Sequence, residues 1–309
     1  MRIVPLFLLL FSGLLAQGQQ KKVCFSFDDL PVVSYGIMDT IFQKKLVDKL
    51  VNSLSRNKIQ AIGFVNESNL YDKESLDRFK VELLKSWVDS GLDLGNHTFS
   101  HPDYNSTGFR EYSHDILKGE TITKEILNSK GKQLTYFRHP FLHTGNSKIK
   151  ADSLSEFLTK KNYKVAPVTI DNEDYLFALA YKRAAGKKDS PLMLQIGSDY
   201  ISYIEKKLKY FENQANRLFG RAITQILLLH ASSLNSDYID SLIVMFKKNG
   251  YSFVSMDKAT EDTVYKTDVT VFGNWGISWL DRWALSQGKK GDFFKGDPAS
   301  PGYITKMAE

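Results

Sequence analysis

Two aspartates stand side by side in this chain, Asp28 and Asp29, and two histidines lie four residues apart, His97 and His101. Adjacent carboxylates that are buried together raise each other's pKa unless a cation intervenes, so the pair points to a bound metal ion. In a regular strand the two would face opposite sides; they can share one site if the strand ends there, and Pro31 favours such an end. His97 and His101 can offer ring nitrogens to one ion when the residues between them form a helical turn. One aspartate and two histidines make three protein ligands, the number a catalytic zinc commonly has beside an open position for water. The other aspartate could accept that water's proton. Spacing leaves open which aspartate takes which task.

Residues so far apart in the chain need a scaffold to bring them together. Short apolar runs at 23–27, 61–65, 92–95, 134–137, 164–170, 225–229 and 251–255 read as strands. Between them, 41–54, 76–88, 109–127, 148–161, 192–218 and 237–248 have helical spacing, with Asp72 and Ser75 before the second helix and Gly91 and Gly250 as stops. Such alternation is the mark of an α/β fold with a parallel sheet covered by helices. Seven repeats predict a distorted seven-stranded β/α barrel, with a helical insertion at 171–220 and a C-terminal extension beyond 257. No glycine-rich phosphate loop follows the first strand, which removes the best marker of nucleotide binding.

A barrel of this kind builds its site at the C-terminal ends of the strands. Five of the seven expected strands deliver polar groups there: Asp28 and Asp29; His97 and His101; Arg138 and His139; Asp171, Glu173 and Asp174; and His230. Convergence of this kind is harder to reach by chance than any single motif.

In order along the chain, Phe27-Asp28-Asp29-Leu30-Pro31, His97-Thr98-Phe99-Ser100-His101, Arg138-His139-Pro140-Phe141, Asp171-Asn172-Glu173-Asp174-Tyr175 and Leu227-Leu228-Leu229-His230 resemble the five motifs of the polysaccharide deacetylase family, carbohydrate esterase family four. The resemblance covers roughly 22–257 and implies a metal-dependent hydrolase that removes acetyl groups from N-acetylated, or sometimes O-acetylated, sugars. It implies that Asp29, His97 and His101 hold one divalent metal, zinc before Co2+, Ni2+ or Mn2+, and that Asp28 is the general base, kept ionised by Arg138. The backbone N–H of Phe141 would stabilise the oxyanion, His230 would be the general acid tuned by Asp174, and Tyr175 and Leu228 would line the acetyl pocket. The chain departs from the family pattern at Leu30 (usually Gly), Phe141 (usually Tyr) and Tyr175 (usually Trp), and Asp171 is a second candidate partner for His230. Rival readings are a small-amide or acetyl-ester hydrolase on the same site and a carbohydrate-binding pseudoenzyme.

The chain has 309 residues, a formal charge of +6 and 42% hydrophobic residues, an ordinary globular composition. Its basic residues are dispersed, which argues against nucleic acid as a partner. Residues 1–18 read as a signal peptide: a short basic start, an apolar run and small residues at Ala16 and Gly18. A secreted or periplasmic protein follows, with no later apolar stretch long enough for a membrane span. The single cysteine, Cys24, excludes an internal disulfide and reads as a core residue. His114 and His143 read as surface residues, and His139 as a loop side chain. Three of the four tryptophans, Trp275, Trp279 and Trp283, are spaced by four, as in a helical stripe that docks on the barrel. Three Asn-X-Ser/Thr matches, at Asn66, Asn96 and Asn105, are taken as coincidence.

Overall fold

The structure is a computed structural model that describes residues 20–309; the expected signal segment, 1–18, lies outside the described residues. All seven expected strands occur: β1 (Lys21–Val33), β2 (Ile62–Val65), β5 (Asp93–Asn96), β6 (Tyr136–Phe137), β7 (Lys164–Val165), β8 (Gln225–Ser232) and β9 (Tyr251–Phe253). A short antiparallel hairpin, β3 (Tyr71–Asp72) with β4 (Ser75–Leu76), adds a pair the alternation did not announce. The main sheet is parallel, in the order β7-β6-β5-β2-β1-β8, and it curls. After β7 the chain leaves β6 and crosses to the far edge, where Ile170 bridges Leu227 of β8. The ring is thus closed by one irregular stave. Among the described residues, β9 pairs only with the start of β1, on the edge that β2 occupies further along.

The helices are α1 (Thr40–Arg56), α2 (Arg78–Asp89), α3 (Phe109–Lys118), α4 (Thr121–Asn128), α5 (Lys148–Lys160), α6 (Asp174–Gly186), α7 (Ser190–Phe219), α8 (Ser233–Lys248), α9 (Met256–Thr260), α10 (Trp279–Ser286) and α11 (Gly302–Ala308). The second helix starts later than expected, because Asp77 is its cap and accepts from the Phe79 N–H at 2.9 Å. The stretch 109–127 is two helices. They break at Gly119, where the chain runs so close to Thr98 and Phe99 that a Cβ would lie 2.4–2.6 Å from their backbone. No described helix is long and apolar enough to cross a membrane.

Strand alternation sorts the core into two sets. Val23, Phe25 and Phe27 of β1 face the surrounding helices, while Cys24 packs inside the ring with Ile62, Phe64, Tyr136, Ala166 and Ile226. Met256 and Ala259 of α9 join that inner set and plug the ring. From the C-terminal segment, Val264, Leu280, Trp283 and Ile304 enter the outer core. Trp279 and Trp283 are buried on α10, but Trp275 precedes that helix and is only half-buried, so the expected stripe is two residues long.

Candidate active site

The inward parity that fills the ring with apolar side chains also delivers the polar ones. Cys24, Ser26 and Asp28 alternate along β1; Tyr136 is followed two residues later by Arg138, and Ile226 by Leu228 and His230. Asp28, His97 and Arg138 end up buried, with His230 only slightly exposed, at the C-terminal mouth of the ring.

Asp29 breaks the parity, and this is how neighbouring aspartates reach one place. β1 does not end at the pair as expected; it runs on to Val33 through an irregularity. Asp29 sits at φ 63, and the pairing register shifts there against both β2 and β8. The left-handed residue is Asp29, not Leu30, so glycine is not required at position 30. The Leu30 side chain instead packs on Gly63, where a Cβ would stand 2.1 Å from its Cδ1.

One donor atom from each of Asp29, His97 and His101 lies within 4.8 Å of the others. The loop from His97 to His101 is not the helical turn expected. Thr98 and His101 take positive φ, and Asp115 holds the loop by accepting from the Phe99 and Ser100 N–H groups at 2.8 and 2.9 Å. His97 Nδ1 is 2.8 Å from the Arg138 carbonyl, which can only accept, so Nδ1 carries the proton and Nε2 a lone pair. Burial, and then His101 beside it, push the His97 pKa down to about 3 and keep the ring neutral. Its Nε2 faces Asp29 Oδ1 at 3.6 Å, and His101 Nε2 faces the same oxygen at 3.5 Å. That oxygen is buried and has no hydrogen-bond partner among the described residues. A carboxylate oxygen and an unprotonated ring nitrogen turned towards each other lack a shared positive centre, and nitrogen and oxygen donors of this set suit a divalent cation.

Asp28 lies on the other side of this cluster. Its Oδ2 is 3.6 Å from Arg138 Nη1 and 3.8 Å from His97 Nε2, and its buried Oδ1 has no partner among the described residues. Burial raises the Asp28 pKa to about 6, with Arg138 and then His230 opposing it. Arg138 is itself fully buried, donates to Ser26 Oγ at 2.9 Å and stacks on Phe64 at 4.6 Å.

His230 Nε2 faces Asp29 Oδ2 at 3.8 Å. Asp174, at the start of α6, is its partner; Asp171, the second candidate, stands instead near Lys207, Asp281 and Asp297. Behind Asp174 lies a pair that no motif announced. Asn235 Nδ2 donates to Asp174 Oδ2 at 2.7 Å and to the His230 carbonyl at 2.8 Å, while its Oδ1 accepts from Tyr200 of α7 at 2.5 Å.

Two half-exposed rings border the cluster: Phe141 packs edge-on against His101 at 4.4 Å and Tyr175 against His230 at 6.4 Å. Tyr35 donates to the Tyr175 carbonyl at 3.1 Å, and Leu228 is buried below. Phe141 and Leu142 are consecutive non-glycine residues at φ 54 and 55. Such conformations cost roughly 1–3 kcal/mol each and persist only where the surroundings enforce them. His139 is buried between Phe137 and Trp279 and takes no part in the Asp29 cluster. His143 is not simply a surface residue: its Nδ1 pairs with Asp103 at 2.6 Å. Asn66 and Asn96 are buried, where a glycan has no room.

Residues 16–156 match the polysaccharide deacetylase family. That segment, just under half of the chain, belongs to that family. The chain is 27% identical over 165 residues to a peptidoglycan-N-acetylglucosamine deacetylase of Bacillus cereus, spanning about half of each protein, 53% of this chain and 49% of the relative. It is 23% identical to the peptidoglycan-N-acetylmuramic acid deacetylase PdaA of Bacillus subtilis, over 72% of this chain and 69% of that one. Among solved structures, a chitin deacetylase from the fungal pathogen Colletotrichum lindemuthianum superposes with a TM-score of 0.51 at 19% identity, covering 79% of this chain and 89% of that one. A mutant of BA3943, a pseudoenzyme of carbohydrate esterase family four from Bacillus anthracis, gives 0.50 at 14% identity, over 78% and 67% of the two chains. These structural likenesses are of fold. Since they include a pseudoenzyme, activity must be argued from the site itself.

Proposed function

We propose that this chain is a metal-dependent deacetylase that removes acetyl groups from N-acetylated amino sugars of a polysaccharide or oligosaccharide, with peptidoglycan as the first substrate to try. The observation that carries the proposal is the buried, unpartnered Asp29 Oδ1 facing the His97 and His101 nitrogens, with Asp28 and His230 on its flanks. Asp29, His97 and His101 would hold the metal. When bound, a divalent cation supplies Lewis acidity, acidifying a water molecule and polarising the acyl carbonyl.

The remaining steps belong to side chains. Asp28 takes the proton of the attacking water at its unpartnered Oδ1, and a carboxyl raised to about 6 suits a base working near neutrality. Arg138 holds Asp28 in place from 3.6 Å. The N–H of Phe141 supports the oxyanion. His230, held at Nδ1 by Asp174, returns a proton from Nε2 to the leaving amine. Tyr175 and Leu228 receive the acetyl methyl. Peptidoglycan is supported by what the two Bacillus relatives are named for. A signal segment at 1–18, a catalytic barrel at 22–257, a packed extension at 258–309 and export to the periplasm or medium complete the reading.

Acetate release should be measured with metal-stripped and zinc-reconstituted protein on peptidoglycan, chitin oligomers and acetylated xylan. Release that returns with zinc and disappears in Asp28→Asn supports the proposal. Silence across the panel from folded, zinc-loaded protein would replace it with a small-amide substrate or a binding role.

A further inference from the structure

The turn that carries Phe141 is held only partly by its own residues. The Leu142 N–H donates to the His139 carbonyl and the His143 N–H to the Pro140 carbonyl, both at 3.0 Å. Further fixings come from the C-terminal segment. Arg282 Nη2 donates to the Leu142 carbonyl at 2.7 Å and to the Trp275 carbonyl at 3.0 Å, joining the turn to the segment through one atom. Gly276 passes so close to the Phe141 carbonyl that a Cβ would lie 2.0 Å from the oxygen. Asn274 accepts from Asn146 at 2.9 Å just beyond the turn.

The segment is itself tied to the ring. The Trp279 N–H donates to the Val168 carbonyl at 2.7 Å, and Ser278 Oγ to the Thr169 carbonyl at 2.9 Å. Arg282 is 1% exposed, stacks on Trp279, and leaves Nε and Nη1 without partners among the described residues. Burying a guanidinium is unfavourable, and an apolar side chain could fill the same volume at less cost. What an apolar side chain could not do is bond a carbonyl on each side of the seam.

We propose that Arg282 and Gly276 are positioning residues for the active-site turn: the C-terminal segment finishes the site by locking 138–143 in the conformation that presents the Phe141 N–H to the reacting carbonyl oxygen. The role rests on the deacetylase reading, while the lock itself does not.

The test uses the full chain with Arg282→Met, Arg282→Lys and Gly276→Ala. Two quantities are read: acetate release, and amide hydrogen exchange of the peptide covering 138–143. Removing an oxyanion-hole donor costs about 100- to 1,000-fold, so a donor merely loosened should cost about 10- to 100-fold in kcat, with KM changed less than about threefold. Exchange in 138–143 should quicken at least about tenfold while β1 and β8 stay protected. Arg282→Lys, which keeps a donor, should recover part of both effects. Zinc content should stay at the wild-type level.

Wild-type kcat and unchanged turn exchange in folded Arg282→Met would overturn the proposal. So would faster exchange spread evenly over the whole chain with normal kcat, which marks a packing residue. If Arg282→Met does not fold, Gly276→Ala, which adds one methyl group and removes no charge, decides alone. If the wild type releases no acetate, the deacetylase reading fails, and turn exchange by itself judges the lock.

Discussion

Asp174 holds His230 at two points: its Oδ1 accepts from the ring Nδ1–H at 2.7 Å and its Oδ2 from the backbone N–H at 2.8 Å. The ring therefore keeps one orientation and turns Nε2 towards Asp29. Burial alone would lower the His230 pKa; Asp174, with Asp29 and Asp28, outweighs it and holds the ring up to about 10. A ring so held is biased towards its protonated form, the form the proposed general acid needs.

Replacing Asp174 by Asn removes that support without changing shape. The His230 pKa should fall and kcat should drop by about 100- to 10,000-fold, the usual contribution of general acid–base catalysis. Zinc content should not change, because Asp174 is not in the ligand set. Acetate release against pH checks both points; a variant with wild-type kcat would take the acid role away from His230.

The Asp29 cluster predicts metal binding that can be read without any substrate. Wild-type protein should take up one equivalent of zinc and gain thermal stability, by about 2.7 kcal/mol at a free metal concentration of 100 times the Kd. Asp29→Asn and His101→Ala should lose the uptake and the gain together, whereas Asp28→Asn should keep both. Elemental analysis and thermal scans with and without chelator make the comparison. Equal uptake in Asp29→Asn and wild type would remove Asp29 from the site.

Much of this fold and site is legible in the amino-acid sequence, for definable reasons. A buried parallel strand reads as an apolar run, so the strands can be seen, and the residue following each run marks the rim, so Asp28, His97, Arg138 and His230 can be placed. What cannot be seen depends on backbone conformation or on approach across the fold. The turn of Asp29 to φ 63 leaves no trace in residue type, and the loop from His97 to His101 brings its two rings together without the helical turn that spacing suggests. Asn235 lies five residues beyond His230 in the first turn of α8, where a buried amide is a weak signal. Arg282 is one arginine among many, and only the packing of α10 gives it meaning.

Tyr200 and Asn235 give the long insertion a measurable share in the site. Tyr200→Phe leaves Asn235 Oδ1 buried and unpaired, which costs about 1–3 kcal/mol in stability. Because Asn235 still reaches Asp174, kcat should fall much less than in Asp174→Asn. Urea unfolding and kinetics of Tyr200→Phe, Asn235→Ala and the double variant should show a coupling of about 0.5–3 kcal/mol. Strict additivity would mean that the two hydrogen bonds act independently.

Asp171 supplies a test of stability against pH that avoids the metal ligands. Facing it are Lys207 from α7, Asp281 and Arg282 from α10, and Asp297 from the tail. Burial is the largest influence and Lys207 opposes it, leaving the Asp171 carboxyl raised to about 7; Asp281, raised chiefly by burial, stands at about 6. An unfolded aspartate ionises near about 3.9. Between these values the native state holds more protons than the unfolded state, so stability falls as pH rises from about 4 to about 7. Asp171→Asn removes one of these titrations and leaves those of Asp281 and of Asp28, also raised to about 6, in place. The variant should be more stable than wild type at about pH 6.5, and the difference should shrink at about pH 4.5, close to the unfolded pKa, where protonating the wild-type carboxylate on folding costs little. Urea midpoints at the two pH values decide it. The stability gained from the raised His230 pKa is fully present below its unfolded value of about 6.5 and is lost only as pH rises from there towards about 10, so it leaves this window almost untouched. A variant whose advantage is the same at both pH values would show that Asp171 is ionised throughout, held so by Lys207.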